Sequence, residues 1–126
     1  MVTPSPVITI PWGMPTLNKL IDLTKSHWSR YSRVKREWTE AVALCAKAHR
    51  PKMKFRGRVS ITFTYYAPNK RIDPDNISSV ARKFILDGLT KADVITDDSW
   101  KIISGLNDIY RIDKNNPRIE VAIEEA

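Results

Sequence analysis

The chain holds one cysteine, two histidines and four glycines among 126 residues. A lone cysteine, Cys45, excludes an internal disulfide and fits a reducing cytoplasm. Cys45 falls on the apolar face of a predicted helix, where core filling is a simpler reading than a nucleophile. His27 and His49 lack the spacing of a histidine-metal or histidine-base site, and His49 at a helix end reads as structural. No glycine-rich phosphate loop is present, which argues against NTP hydrolysis or a nucleotide cofactor. No apolar run approaches the ~20 residues that span a membrane. The opening MVTPSPVITIPWGMP has no positive n-region and is broken by prolines, so it does not read as a signal peptide.

Acidic residues are scarce in the first part of the chain. Residues 1–72 hold 14 Lys/Arg against 3 Asp/Glu, a net of +11, while residues 73–126 hold 7 against 11, a net of −4. The total of +7 is therefore uneven. A basic part followed by an acidic part suggests a polyanion held by one and a cation by the other.

The chain is long enough to bury a core in one domain. Val7–Ile10 reads as a first or edge strand between prolines, and Leu17, Leu20 and Ile21 mark a short helix. Ser26–Arg36 interleaves cations (Arg30, Arg33, Lys35, Arg36) with Trp28 and Tyr31. That mixture suits phosphate contact with base stacking, or else a solvated helix start whose aromatics pack inward. Helical spacing runs from Ser32 to His49, and Pro51 stops it. Lys52, Lys54, Arg56 and Arg58 alternate with other residues, which in extended chain puts four cations on one side.

Val59–Tyr66 is the clearest strand, and a loop then delivers Lys70 and Arg71 to an acidic site. Asn76–Thr90 is predicted helical, with Gly88 weakening its end. A strand kinked near Gly105 follows Trp100, and a last strand carries Ile119, Val121 and Ile123 in alternation. The order β-α-α-β-α-β-β predicts an α+β or mixed α/β domain, with helices packed on one small mixed sheet.

The stretch from Arg71 to Trp100 organises the rest. Asp73-Pro74-Asp75-Asn76 opens it and Asp97-Asp98 closes it, with Lys83 on the helix between. Pro74 biases Asp73 towards extended geometry, in which residues two apart share a side and could share a cation. Carboxylates are the preferred ligands of Mg²⁺ and Mn²⁺. The tetrapeptide taken alone also reads as a turn and helix N-cap, and Lys83 alone as a surface lysine. Asp97 and Asp98 point opposite ways in extended chain, so only one of them should join the first pair. Carboxylate-held metal ions and one lysine suit phosphodiester hydrolysis, which needs an activated water and charge stabilisation.

In this order, D-x-D-N, then K-x-x-x-D-x-L, then D-D before a closing strand, the chain resembles the RusA Holliday-junction resolvases. The pieces are Asp73-Pro74-Asp75-Asn76, Lys83 through Asp87 to Leu89, and Asp97-Asp98. Pro15-Thr16-Leu17-Asn18 and the basic helix around Arg36–Val42 are similar to the first half of that family. The resemblance implies a homodimeric, Mg²⁺-dependent endonuclease (Mn²⁺ substituting) that cuts four-way DNA junctions by paired nicks. Carried over by position, it implies Asp73, Asp75 and Asp98 as metal ligands and Lys83 as the essential lysine, with Asn76 and Asp97 supporting them. The expected DNA contacts are Arg30, Arg33, Arg36, Lys52, Lys54, Arg56, Arg58, Lys70 and Arg71.

Two departures stand out. The family lysine usually follows the second aspartate of D-x-D-N by about four residues, where Ser79 stands here, so Lys83 sits one helical turn later. Ile72 replaces the basic residue that commonly precedes the first aspartate, and Arg71 is the expected substitute. The small size fits a phage or prophage gene. A flap- or fork-selective nuclease, or a non-catalytic DNA-binding protein with a structural acidic cluster, are the rival readings. Cleavage assays on junction, fork and duplex, with and without Mg²⁺, separate them.

Overall fold

A computed structural model describes residues 6–26 and 28–126, without the side chains of Ser26 and Trp28. The expectations for the first five residues, for His27 and for the Trp28 ring lie outside the described residues. Strand β1 (Val7–Pro11) leads into helices α1 (Leu17–Ser26) and α2 (Trp28–Ala48). Strand β2 (Val59–Ala67), helix α3 (Pro74–Lys91) and strands β3 (Ile103–Ile112) and β4 (Arg118–Glu125) complete the order. The four strands form one mixed sheet in the order β1-β4-β2-β3. This is the expected small mixed α/β domain.

Strict alternation builds the sheet. Along β2 the inward residues Val59, Ile61, Phe63, Tyr65 and Ala67 are buried, and Ile119, Val121 and Ile123 match them on β4. Strand β2 pairs antiparallel with β4 and parallel with β3. A parallel pair needs a crossover, and α3 supplies it, so β2-α3-β3 is a βαβ unit. The register slips between Val59 and Ser60, opposite Ile103 and Gly105, which leaves Ser104 as the extra residue of a bulge. The kink expected near Gly105 is this bulge, in a strand that begins at Ile103, after Trp100 as expected.

Helix α3 lies on the sheet through Ala81, Ile85 and Leu89, while Val80 and Phe84 pack with Leu20 of α1. Helix α2 presses closely on α3. A Cβ placed on Gly88 would stand 2.4 Å from Val42 Cγ1 and 3.0 Å from the Thr39 carbonyl oxygen. Gly88 is thus a packing requirement inside the helix rather than a weak end. The crossover also fixes where the motif lies. The chain leaves β2 at its carboxyl end, turns through residues 68–73 and starts α3 there, beside the carboxyl end of β3.

Candidate functional site

Asp73 caps α3 by position, with extended backbone (φ −66°, ψ 146°), yet its carboxylate makes no capping hydrogen bond. Pro74 takes the first helical position, where its missing N–H costs nothing. Asp75 follows in the first helical turn, so the pair straddles a helix start instead of sharing one extended segment. Both residues are exposed, and among the described residues neither carboxylate has a hydrogen-bond or ion-pair partner. Two unpaired carboxylates flanking one proline repel each other until a cation joins them.

Lys83 and Asp98 meet elsewhere on α3. The Lys83 ammonium lies 3.1 Å from Asp87 Oδ1, one turn on, and 3.3 Å from Asp98 Oδ2. The Asp87 hydrogen bond, with Asp98 adding to it, holds the ammonium above the usual lysine range. Asp75 and Lys83 are eight residues apart, roughly 12 Å along the helix axis at 1.5 Å per residue. The structure therefore brings Asp98 to Lys83 and Asp87. It does not gather Asp98 with Asp73 and Asp75, and among the described residues no group of three or more His, Cys, Asp or Glu side chains forms a metal-binding set. Asp97 accepts the Ser99 N–H at 2.8 Å, and hydrogen bonds from the Ser99 side chain and backbone hold its carboxyl below the usual carboxylate range. Ser79 donates its hydroxyl to the Asp75 carbonyl, so it is occupied within the helix.

The donor set at Asp73 and Asp75 suits a hard divalent cation. Mg²⁺ keeps several waters and is commonly held by one or two carboxylates together with substrate phosphates, without a protein cage. Asn76 is half-buried in the same first turn, its N–H bonded to the Asp73 carbonyl at 3.1 Å.

A network that sequence reasoning did not single out anchors this end of α3 to the sheet. The Tyr110 hydroxyl donates to Ser78 Oγ at 2.8 Å, and Ser78 donates to the carbonyl of Pro74 at 3.2 Å. The Tyr65 hydroxyl donates to Asp108 Oδ1 at 2.9 Å, and Arg82 pairs with the other Asp108 oxygen. Burial, reinforced by Asp108, drives the Tyr65 phenol far above the ordinary tyrosine range, so it stays a neutral donor. The signal was present in the sequence. Leu106, Asp108 and Tyr110 alternate onto the core side of β3, and a carboxylate there needs a partner.

Between these tyrosines and the start of α3 lies a cleft of about 500 Å³. Ile72, Ile77 and Ile112 join Tyr65 and Tyr110 in its walls. Asn69, Lys70, Arg111 and Asp73 bring polar groups to it.

The expected DNA contacts fall in three places. Lys70 and Arg71 are exposed in the loop just before Asp73. Arg30, Arg33 and Arg36 are exposed on α2, and Arg36 with Lys35 lines a groove that Asp87 also enters. Lys52, Lys54, Arg56 and Arg58 are exposed in a segment whose Met53 is buried, as the alternation predicts. Lys54 is partly committed, through an ion pair with Asp93 at 2.8 Å. Cys45 packs against the core and burial raises its thiol pKa, which weakens any nucleophile reading. The ring of His49 bonds the Pro51 carbonyl at 2.8 Å, a structural role. Trp100, two residues beyond Asp98, is 92% exposed. Among the described residues no helix is long and apolar enough to cross a membrane.

A family model described as Endodeoxyribonuclease RusA matches residues 14–124, which include every part of this site. No curated protein matches the chain.

Proposed function

The chain belongs to the RusA endodeoxyribonuclease family, and from that premise we propose that it resolves Holliday junctions as a Mg²⁺-dependent homodimer. The observation that carries the reading is the exposed, unpartnered Asp73–Asp75 pair at the start of α3, inside the matched region. Asp73 and Asp75 would hold the metal, and Asp98 would complete the set only on leaving the Lys83 contact that it makes in this structure. When bound, the metal supplies an activated water and stabilises charge on the phosphorane and the leaving oxygen, for a cut leaving 5′-phosphate and 3′-hydroxyl ends. Mn²⁺ has the same preference for carboxylate oxygen and substitutes.

The protein's own groups do the rest. Lys83 neutralises the phosphate, which requires its ammonium to exchange or share the Asp98 contact. Asp97, by holding Ser99, fixes the loop that carries Asp98. Arg71 and Lys70 receive the backbone next to the metal, while the α2 cations and residues 52–58 hold the arms. One site makes one nick, so a two-fold junction needs two protomers. The protein acts in the cytoplasm, as a phage or prophage product.

Lys83 is tested by charge. Lys83→Ala is expected to lower single-turnover cleavage by roughly 10²-fold, the scale of one preorganised transition-state contact. Lys83→Arg recovers only part, because a forked guanidinium is not a point charge. Ser79→Ala, which removes a hydroxyl already bonded within the helix, changes little. Full activity in Lys83→Ala would make the residue a surface lysine.

The binding surface is tested by salt. Junction affinity is expected to fall linearly in log–log form, with a slope of about −0.9 per neutralised phosphate on duplex arms. Charge-neutral substitution of Arg33 and Arg36 together should flatten that slope by almost two units on the same scale. An affinity independent of salt refutes the arrangement. Cleavage of junction, fork and linear duplex, with and without Mg²⁺, tests the reading as a whole. Equal cutting of fork and junction favours a flap or fork nuclease, and binding without any cutting favours a DNA-binding protein.

A further inference from the structure

We propose that the cleft at the carboxyl ends of β2 and β3 is a nucleobase pocket, which seats one unstacked base of the strand whose backbone lies on Asp73 and Asp75. The proposal rests on the endonuclease reading above and deepens it by naming a contact for the substrate.

Three of the chain's exposed large apolar side chains meet here: Ile72 is 42%, Tyr110 37% and Ile112 49% exposed. Single exposed apolar residues need no explanation, but a contiguous group in a concave site does. The Tyr110 ring lies 5.3 Å from the Tyr65 ring at 18° between planes, a stacked pair. Both hydroxyls are already bonded, Tyr65 to Asp108 and Tyr110 to Ser78, so the ring planes are set before any ligand arrives. A fixed aromatic face is what a base stacks on without regard to its identity.

Polar groups surround that face in a pattern that suits a nucleotide. Asn69, whose Oδ1 accepts the Arg71 N–H at 3.0 Å, offers its amide N–H to a base edge, and Lys70 and Arg111 offer cations to the adjoining phosphate. The volume of about 500 Å³ accommodates one nucleotide. Asp73 is itself part of the lining, so a base held here belongs to the strand passing the carboxylates. The position also follows a general rule for parallel strands, whose ligands bind outside their carboxyl ends. Charge disfavours a second copy of the chain as occupant. A two-fold contact centred on this cleft would bring Lys70, Arg71 and Arg111 towards their own counterparts.

The test uses four-way junctions carrying 2-aminopurine at one position at a time around the crossover, bound to the whole protein in EDTA. Wild type is expected to change the emission at least about threefold at one or two positions and little elsewhere. Tyr110→Phe, which keeps the ring, retains the response. Tyr110→Ala and Ile112→Glu abolish it, while junction affinity stays within a few-fold and thermal melts confirm folding. The same two variants, given Mg²⁺, lose any base preference beside the nick. Wild type that cuts junctions but shows the same emission as Tyr110→Ala and Ile112→Glu at every position overturns the pocket and leaves the nuclease reading standing. A switch from dimer to monomer in Ile112→Glu, with emission unchanged, also overturns it and assigns the cleft to a second copy. Wild type that cuts no junction in Mg²⁺ overturns the reading underneath.

Discussion

Asp75→Asn is expected to abolish junction cleavage while leaving junction binding intact or tighter. The substitution keeps the side-chain shape and removes one unit of negative charge from a position with no protein partner. No contact of the folded protein is lost, so stability should barely move. Metal stabilisation of the transition state is worth several kcal/mol, so losing a ligand should cost on the order of 10³-fold in single-turnover rate. Binding behaves differently because the carboxylate faces phosphates in the absence of metal. Removing that repulsion helps or is neutral. Asp73→Asn should match it, since Asp73 caps α3 without using its side chain. The checks are single-turnover cleavage and gel-shift affinity on one junction, with a calorimetric Mn²⁺ titration of the free protein. Cleavage within tenfold of wild type would remove Asp75 from the metal site.

Gly88→Ala should unfold or severely destabilise the protein, against what local propensity predicts. In a helix interior alanine is favoured over glycine by about 1 kcal/mol. Here the new methyl would meet Val42 Cγ1 at 2.4 Å and Val42 Cβ at 2.5 Å, with the Thr39 carbonyl behind them at 3.0 Å. A β-branched valine in a helix has one strongly preferred rotamer, so it cannot swing aside. The helices themselves must separate, which disturbs the core around Val42, Ile85 and Leu89. Overpacking of this kind costs ~1–3 kcal/mol, and contact with backbone puts it at the upper end. For a domain of this size that is a fall of roughly 10 °C in Tm. Thermal melts followed by circular dichroism decide it. A melting point within a degree or two of wild type would mean that α2 and α3 are not in the contact described. Val42→Ala in the Gly88→Ala background should recover part of the loss, a non-additivity that distant sites do not show.

The elements were legible because their signals are local. The alternation in Val59–Tyr66 and Ile119–Ile123 and the helical stripe from Ile77 to Leu89 each point one way, and tertiary packing agrees. The extended form expected for Asp73 to Asp75 was half right. Pro74 does hold Asp73 extended, but the same proline also pre-sets the first turn of a helix, and Asp75 falls inside it. The weak end expected at Gly88 failed because helix propensity carries no information about a neighbouring helix.

The sequence by itself determined the order of elements, the uneven charge, and the acidic motifs that place the chain in its family. These depend on residue type and spacing along one segment. Only the tertiary structure decided how the segments meet. It put Asp98 on Lys83 and Asp87, because the loop after α3 returns alongside the middle of the helix rather than its start. It tied Tyr65, Asp108 and Arg82 together, and Tyr110 to Ser78, across three elements, because alternation in β3 shows that Asp108 needs a partner but not which residue supplies it. It also made the cleft beside Asp73, which exists because a parallel pair of strands must be joined by a crossover. That crossover departs from the carboxyl end of β2, so α3 begins beside the carboxyl ends of both β2 and β3.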